Sequence, residues 1–220
     1  MALRRGAVRM ASAALCCISR CACCASPSSG VVDGAYKTSY SARMQAFRFE
    51  DVFIAPDAKA IFDAYFDADF TAQQDAEIQI KARIVQREND APTLFSRVTK
   101  VVPARQLPSF VRPLVRDELH YIEDLTWFKS EDRLAIVIHP SIGSGRAQIT
   151  VDYRVQDVGA APDGRRRFAR SYAGQVAIEV PLIGGRIEKG IIEDMRQSLA
   201  TTAKSTQRWL DQHRPAAVLA

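Results

Sequence analysis

The sequence predicts an α+β domain, a curved antiparallel sheet of about seven strands gripping one long C-terminal helix, with two short helices after the first strand. Three observations predict it. Ile187, Ile191, Met195, Leu199, Thr202, Thr206 and Trp209 recur at spacings of three and four, the mark of one face of a helix. From Ile78 to Val180 the apolar period is two instead, broken by turn residues. A short helical stretch separates that region from an isolated first strand.

The first strand is read over Phe47–Ile54. Pro56 suits the first turn of a helix whose apolar stripe is Ile61, Phe62, Tyr65 and Phe66. Thr71-Ala-Gln-Gln74 has the form of a capping box, so a second short helix is expected to start there. Ile78, Ile80, Ala82 and Ile84 then alternate with Lys81 and Arg83, as a strand with one wet face should. Asn89-Asp90 turns the chain into a return strand over Leu94–Val102. The stretch 103–118 holds three prolines and three arginines, Arg105, Arg112 and Arg116, around the apolar Leu107, Phe110, Val111 and Leu114. It reads as an ordered loop or short helix. Strands follow over His120–Phe128 and Arg133–Ile138.

The cleanest alternation runs from Ala147 through Ile149, Val151 and Tyr153 to Val155. Pro162-Asp163-Gly164 closes a hairpin, and Phe168–Val180 returns with Tyr172, Val176 and Ile178 on its apolar side. A helix from about Arg186 to Gln212 would be roughly 40 Å long, so it must lie across something wide. One long helix cannot fill the concave face of a curled sheet everywhere, and a gap is expected near the helix ends.

Charge and cysteine content narrow the function classes. The net charge is +5, but Arg4, Arg5, Arg9 and Arg20 stand in an acid-free first 30 residues. Without those four, 26 basic residues face 25 acidic ones, which lacks the footprint of a nucleic-acid binder. All five cysteines, Cys16, Cys17, Cys21, Cys23 and Cys24, fall in the same segment, so the domain has none for disulfides or a thiolate metal site. Residues 1–30 read as a targeting leader, directing the chain to an organelle (mitochondrion or plastid) or to export. Residues 31–45 read as a linker, 46–213 as the folded domain and 214–220 as a tail.

The element order, together with Tyr121, Glu123 and Trp127 in one strand, Val180-Pro-Leu-Ile-Gly-Gly-Arg-Ile-Glu188 at the helix entry and Trp209 near its end, resembles the helix-grip fold of the START-like superfamily. That superfamily includes lipid-transfer domains, plant allergen-type carriers of hydrophobic ligands and aromatic polyketide cyclases. More narrowly, the chain is similar to a START-like family of unknown function. The resemblance implies a cavity between sheet and helix; its motifs are structural and carry a fold better than a chemistry.

On that expectation, Ala147, Ile149, Val151, Tyr153, Tyr172, Val176 and Ile178 form one cavity wall and Ile191, Met195, Leu199 and Thr202 the other. Tyr153, Tyr172 and Thr202 would orient a polar head. Leu107, Phe110, Val111 and Leu114 form either a lid at the cavity portal or a plug at the end of the core. Gly184-Gly185 suits a packing turn better than an anion cradle, and no nucleotide motif is present. His120, His139 and His213 have no metal spacing, and nothing calls for a cofactor. Arg165, Arg166, Arg167 and Arg170 flank a hairpin tip and would allow transient contact with a membrane surface, though such loops are usually just solvated.

The first functional expectation is therefore a monomeric binding module for a lipid or other apolar small molecule. The second is a cyclase- or hydrolase-type enzyme in the same cavity, with Glu123 and Tyr121 as acid–base pair; His120 and Asp124 complete the same cluster in sequence, but alternation puts them on the opposite face of the strand. The third is an interaction scaffold whose cavity is filled by side chains.

Overall fold

The computed structural model describes residues 44–104, 114–115, 117–142 and 145–213. The leader, nearly all of the linker and the tail lie outside them, as do Leu107, Phe110, Val111, Arg105, Arg112 and Arg116. The described chain runs β1 (Gln45–Ile54), α1 (Ala58–Phe66), α2 (Ala68–Glu77), β2 (Ile80–Asp90), β3 (Leu94–Pro103), β4 (Tyr121–Phe128), β5 (Arg133–Pro140), β6 (Ala147–Ala160), β7 (Arg166–Ile178) and α3 (Gly184–Gln212). The seven strands form one antiparallel sheet in the order β1-β7-β6-β5-β4-β3-β2. Strands β2 to β7 are a meander, and β1 pairs with the last of them. The pair α1 and α2 therefore carries the chain from one edge of the sheet to the other.

Each short helix starts at an aspartate. The Asp57 carboxylate accepts the Ala60 N–H at 2.8 Å, so α1 begins after Pro56 rather than on it. Asp67 ends α1, its N–H donating to the Asp63 carbonyl, and its carboxylate accepts the Phe70 N–H at 2.7 Å to start α2. The expected capping box at Thr71 is thus an interior turn of α2, because Asp67 already satisfies the free N–H groups four residues earlier. Gln74 is released for another task. Its amide donates to Thr206 Oγ1 at 3.2 Å and lies 3.4 Å from the Thr202 carbonyl, joining α2 to α3.

The alternation expected on β2 reverses midway. A bulge between Ile80 and Ala82 shifts the register against β3, and one extra residue exchanges the two faces beyond it. Ile84 is consequently 53% exposed, while Arg83 turns inward. On β6 no bulge intervenes before Asp157, and Ala147, Ile149, Val151, Tyr153 and Val155 are all buried.

Helix α3 is fastened at both ends. At its start Gly184 lies so close to β7 that an added Cβ would stand 2.4 Å from the Ile178 carbonyl oxygen. One turn on, the buried Glu188 carboxylate accepts the Ile178 N–H at 2.9 Å. Near its end Gln207 accepts the Ile54 N–H at 2.9 Å and donates to the Ile54 carbonyl at 3.1 Å, extending β1 as a strand partner would. Ile187, Ser205, Thr206 and Leu210 are buried, whereas Ile191, Met195, Leu199 and Thr202 are only half-buried. The gap therefore lies under the middle of the helix and not near its ends.

Between α1 and the sheet sits an aromatic core. Tyr153, fully buried, packs its ring 4.9 Å from Tyr172, 5.5 Å from Tyr65 and 5.7 Å from Phe62. Trp127 stacks on Phe62 and Phe66 at 5.1 and 4.9 Å. Burial raises the pKa of Tyr65, Tyr153 and Tyr172 above the ordinary phenol value of 10.0.

This packing can be tested at the helix entry and in the aromatic core. Gly184→Ala should lower the stability measured by urea unfolding by about 1–3 kcal/mol through the clash with β7. Gly185→Ala, where nothing lies within 4 Å of an added Cβ, should be neutral or gain about 0.5–1 kcal/mol from helix propensity. The buried phenols set an alkaline limit. Their folded pKa values are raised, so their contribution is intact below the unfolded value of 10.0 and is lost as pH climbs above it. Ultraviolet titration should show their tyrosinate absorbance appearing together with loss of far-ultraviolet ellipticity, not before it.

Candidate functional site

Between α3 and the concave face of the sheet lies a cavity of about 610 Å³. Its helix side is Ile191, Met195, Leu199, Thr202 and Thr206, with Asp194 and Ser198 at the margin. Its sheet side carries Ile80 and Arg83 from β2, Tyr121 and Glu123 from β4, and Ile136 and Ile138 from β5. Ile149 and Val151 from β6 and Arg170 and Tyr172 from β7 complete the floor. Ile61, Tyr65, Phe70 and Gln74 close it from α1 and α2, with Ile78 just after α2.

The arrangement follows from register. Antiparallel pairing sets Glu123 opposite Ile138 and Ile138 opposite Ile149, a row that crosses β4, β5 and β6. One step along, Ile136 pairs with Val151. Since α3 packs chiefly on β1 and β7, the middle strands are left uncovered by it. Volume that side chains do not fill stays empty.

Seven of the residues expected to line the cavity do so: Ile149, Val151, Tyr172, Ile191, Met195, Leu199 and Thr202. Ala147, Tyr153, Val176 and Ile178 belong instead to the packed core. Tyr153 is enclosed by its aromatic neighbours, so it presents no group to a ligand. The Thr202 hydroxyl donates to the Leu199 carbonyl at 3.1 Å and the Thr206 hydroxyl to the Thr202 carbonyl at 2.8 Å, which turns both toward their own helix. Of the expected portal residues only Leu114 is described, half-buried against the core.

Two buried ion-pair clusters border the sheet side of the cavity. At the β2/β4 end Arg83 grips Asp75 with Nε at 2.9 Å and Nη2 at 2.8 Å, and its Nη1 lies 3.8 Å from Glu123 Oε1. Tyr121 stands two residues before Glu123 on the same face; burial pushes its phenol well above the ordinary range, and the Glu123 charge adds to the shift. His120, at the entrance to β4, also borders the cavity, its Nδ1 3.0 Å from the Glu118 carbonyl oxygen, while Asp124 points out to solvent. At the β7 end Arg170 is 4% exposed, pairs with Asp51 at 3.0 Å and lies 4.5 Å from the Phe53 ring centroid. The expectation of Arg170 in a surface loop is therefore corrected: it is a floor residue. Arg165 and Arg166 each pair with an aspartate of their own hairpin, Asp163 and Asp157.

Arg83 and Arg170 were hidden in the sequence for different reasons. The bulge on β2 inverts the side on which Arg83 falls. Arg170 shares the parity of Tyr172, so alternation alone places it inside, yet the three arginines before it suggest a solvated turn. Among the described residues no three metal-ligating side chains cluster, and no helix is long and apolar enough to cross a membrane.

The fold recurs in solved proteins. The Zhui aromatase/cyclase from Streptomyces sp. R1128 superposes with a TM-score of 0.54 at 9% identity, over 80% of this chain and 99% of that one. TTHA0849 from Thermus thermophilus gives 0.51 at 12% identity, over 78% and 100%. At such identities the likeness is one of fold, and the fold is the START-like helix grip. No curated protein matches the sequence. Residues 52–210 match the family described as protein of unknown function (DUF2505), and the chain belongs to that family.

Proposed function

We propose that the chain binds an apolar small molecule, such as a lipid, in the cavity between α3 and the sheet. The supporting observation is the void of about 610 Å³ beneath the half-buried stretch Ile191–Thr202. Its size is in the range of small-molecule sites, and its lining is mostly aliphatic and aromatic with a few converging polar groups. A ligand burying on the order of 200 Å² of apolar surface would gain about 5 kcal/mol from that burial.

Two features favour binding over the other expectations. A packed scaffold would fill the space under Met195 and Leu199 with side chains. Acid–base chemistry by Glu123 and Tyr121 would need a phenol that gives up its proton readily, whereas burial holds the Tyr121 proton more firmly than usual. The pair suits hydrogen bonding better than proton exchange.

The test uses the uncharged fluorophore N-phenyl-1-naphthylamine with the purified chain, alongside native mass spectrometry of the protein as isolated. The expected result is a blue-shifted, saturable fluorescence increase. Leu199→Trp, which places an indole in the void, should weaken probe binding by about tenfold while thermal unfolding stays cooperative. A chain that neither binds the probe nor carries a co-purified small molecule contradicts the proposal.

A further inference from the structure

Resting on the binding role just proposed, we infer that the ligand is an uncharged alcohol or phenol, whose hydroxyl reaches Glu123 and Tyr121 at the β2/β4 end of the cavity. The inference rests on how the charges there are already spent. Arg83 is engaged by Asp75 on two nitrogens, at 2.8 and 2.9 Å, with the Arg83 side chain 22% and the Asp75 side chain 15% exposed. At the far, β7 end Arg170 gives Nη2 to Asp51 at 3.0 Å and lies 4.5 and 5.3 Å from the ring centroids of Phe53 and Tyr172, its Nε buried without a hydrogen-bond partner. Each arginine on the cavity wall thus has its own carboxylate. Glu123 is an additional one at the β2/β4 end.

An anionic head group at the β2/β4 end would therefore meet an arginine already held on two nitrogens by Asp75 and would sit against Glu123 in a poorly solvated space, where like charges repel strongly. A cationic head group fares little better. Placed on Glu123 it would also stand beside the Arg83 guanidinium, whose Nη1 is 3.8 Å from Glu123 Oε1, and be repelled by that like charge.

A hydroxyl fits both neighbours. The separation of 3.8 Å is beyond hydrogen-bond distance, so Glu123, whose side chain is 12% exposed, keeps acceptor capacity facing the cavity. Tyr121 on the same strand face keeps its proton, because burial and the adjacent carboxylate both oppose its loss. The ligand O–H donates to Glu123 and its oxygen accepts from Tyr121. The apolar remainder lies along Ile138, Ile149, Met195 and Leu199.

The test is displacement of N-phenyl-1-naphthylamine from the full chain at neutral pH by decanol, decanoate and decylammonium, which share a tail and differ in the head. Decanol should displace the probe at about tenfold lower concentration than decanoate, the scale of one hydrogen bond to a charged group. Decylammonium should also be weaker than decanol. Glu123→Gln should bring decanoate to within about threefold of decanol by removing the repulsion, and Tyr121→Phe should weaken decanol about fivefold while leaving decanoate unchanged. Decanoate matching decanol on the wild-type chain overturns the inference, as does decylammonium exceeding it. An acid-to-alcohol ratio unmoved by Glu123→Gln, or by Tyr121→Phe should the first variant not fold, overturns it as well. Absence of probe binding by the wild-type chain is a different result, which removes the cavity reading itself.

Discussion

The cavity depends on how α3 is attached. The helix is held to β7 by the Gly184 close approach and by Glu188 on the Ile178 N–H, and to β1 by Gln207 on both polar groups of Ile54. These contacts stand about 20 residues apart, near 30 Å at 1.5 Å per residue. A helix of that length is stiff between its attachments, and the sheet beneath it is curved. The middle of the helix therefore spans the concavity as a beam spans a trough. Met195 and Leu199 remain half-buried because nothing pulls the beam down onto β4, β5 and β6.

Buried charge on the concave face carries a second constraint. Burial of a guanidinium is tolerated only where a carboxylate accompanies it, and both Arg83 and Arg170 meet that condition through residues from neighbouring elements, Asp75 of α2 and Asp51 of β1. The ion pairs thus tie α2 to β2 and β1 to β7 while leaving the floor between them apolar. On the sheet side of the site the charged groups stand at its two ends.

Much of this architecture was legible in residue spacing. The seven strands and the long helix follow from changes of period, and Ile149, Val151 and Tyr172 on the sheet side of the cavity follow from strict alternation on β6 and β7. The helix side follows from spacing as well, since Ile191, Met195 and Leu199 repeat every four residues. What spacing missed has physical causes. A bulge near Lys81 reversed the face of Arg83, and bulges leave no compositional mark as plain as a glycine or proline. Asp67 displaced Thr71 as the cap of α2 because one residue serves two helices, its backbone N–H closing α1 on the Asp63 carbonyl and its carboxylate opening α2 on the Phe70 N–H. Tyr153 looked like a cavity residue by parity, but parity names a face and not which part of that face α1 covers.

The route of the chain through α1 and α2 has a topological consequence. Strands β1 and β2 are the two edges of the sheet, and hydrogen bonds do not join them. The covalent chain does, by way of the two helices hinged at Asp67. The sheet is closed into a ring in which one segment of the circumference is helical, so its curvature is limited by the length of that segment. Lengthening or shortening α1 or α2 by a turn would change the girth of the ring, and with it the volume of the interior, without altering a single residue of the sheet.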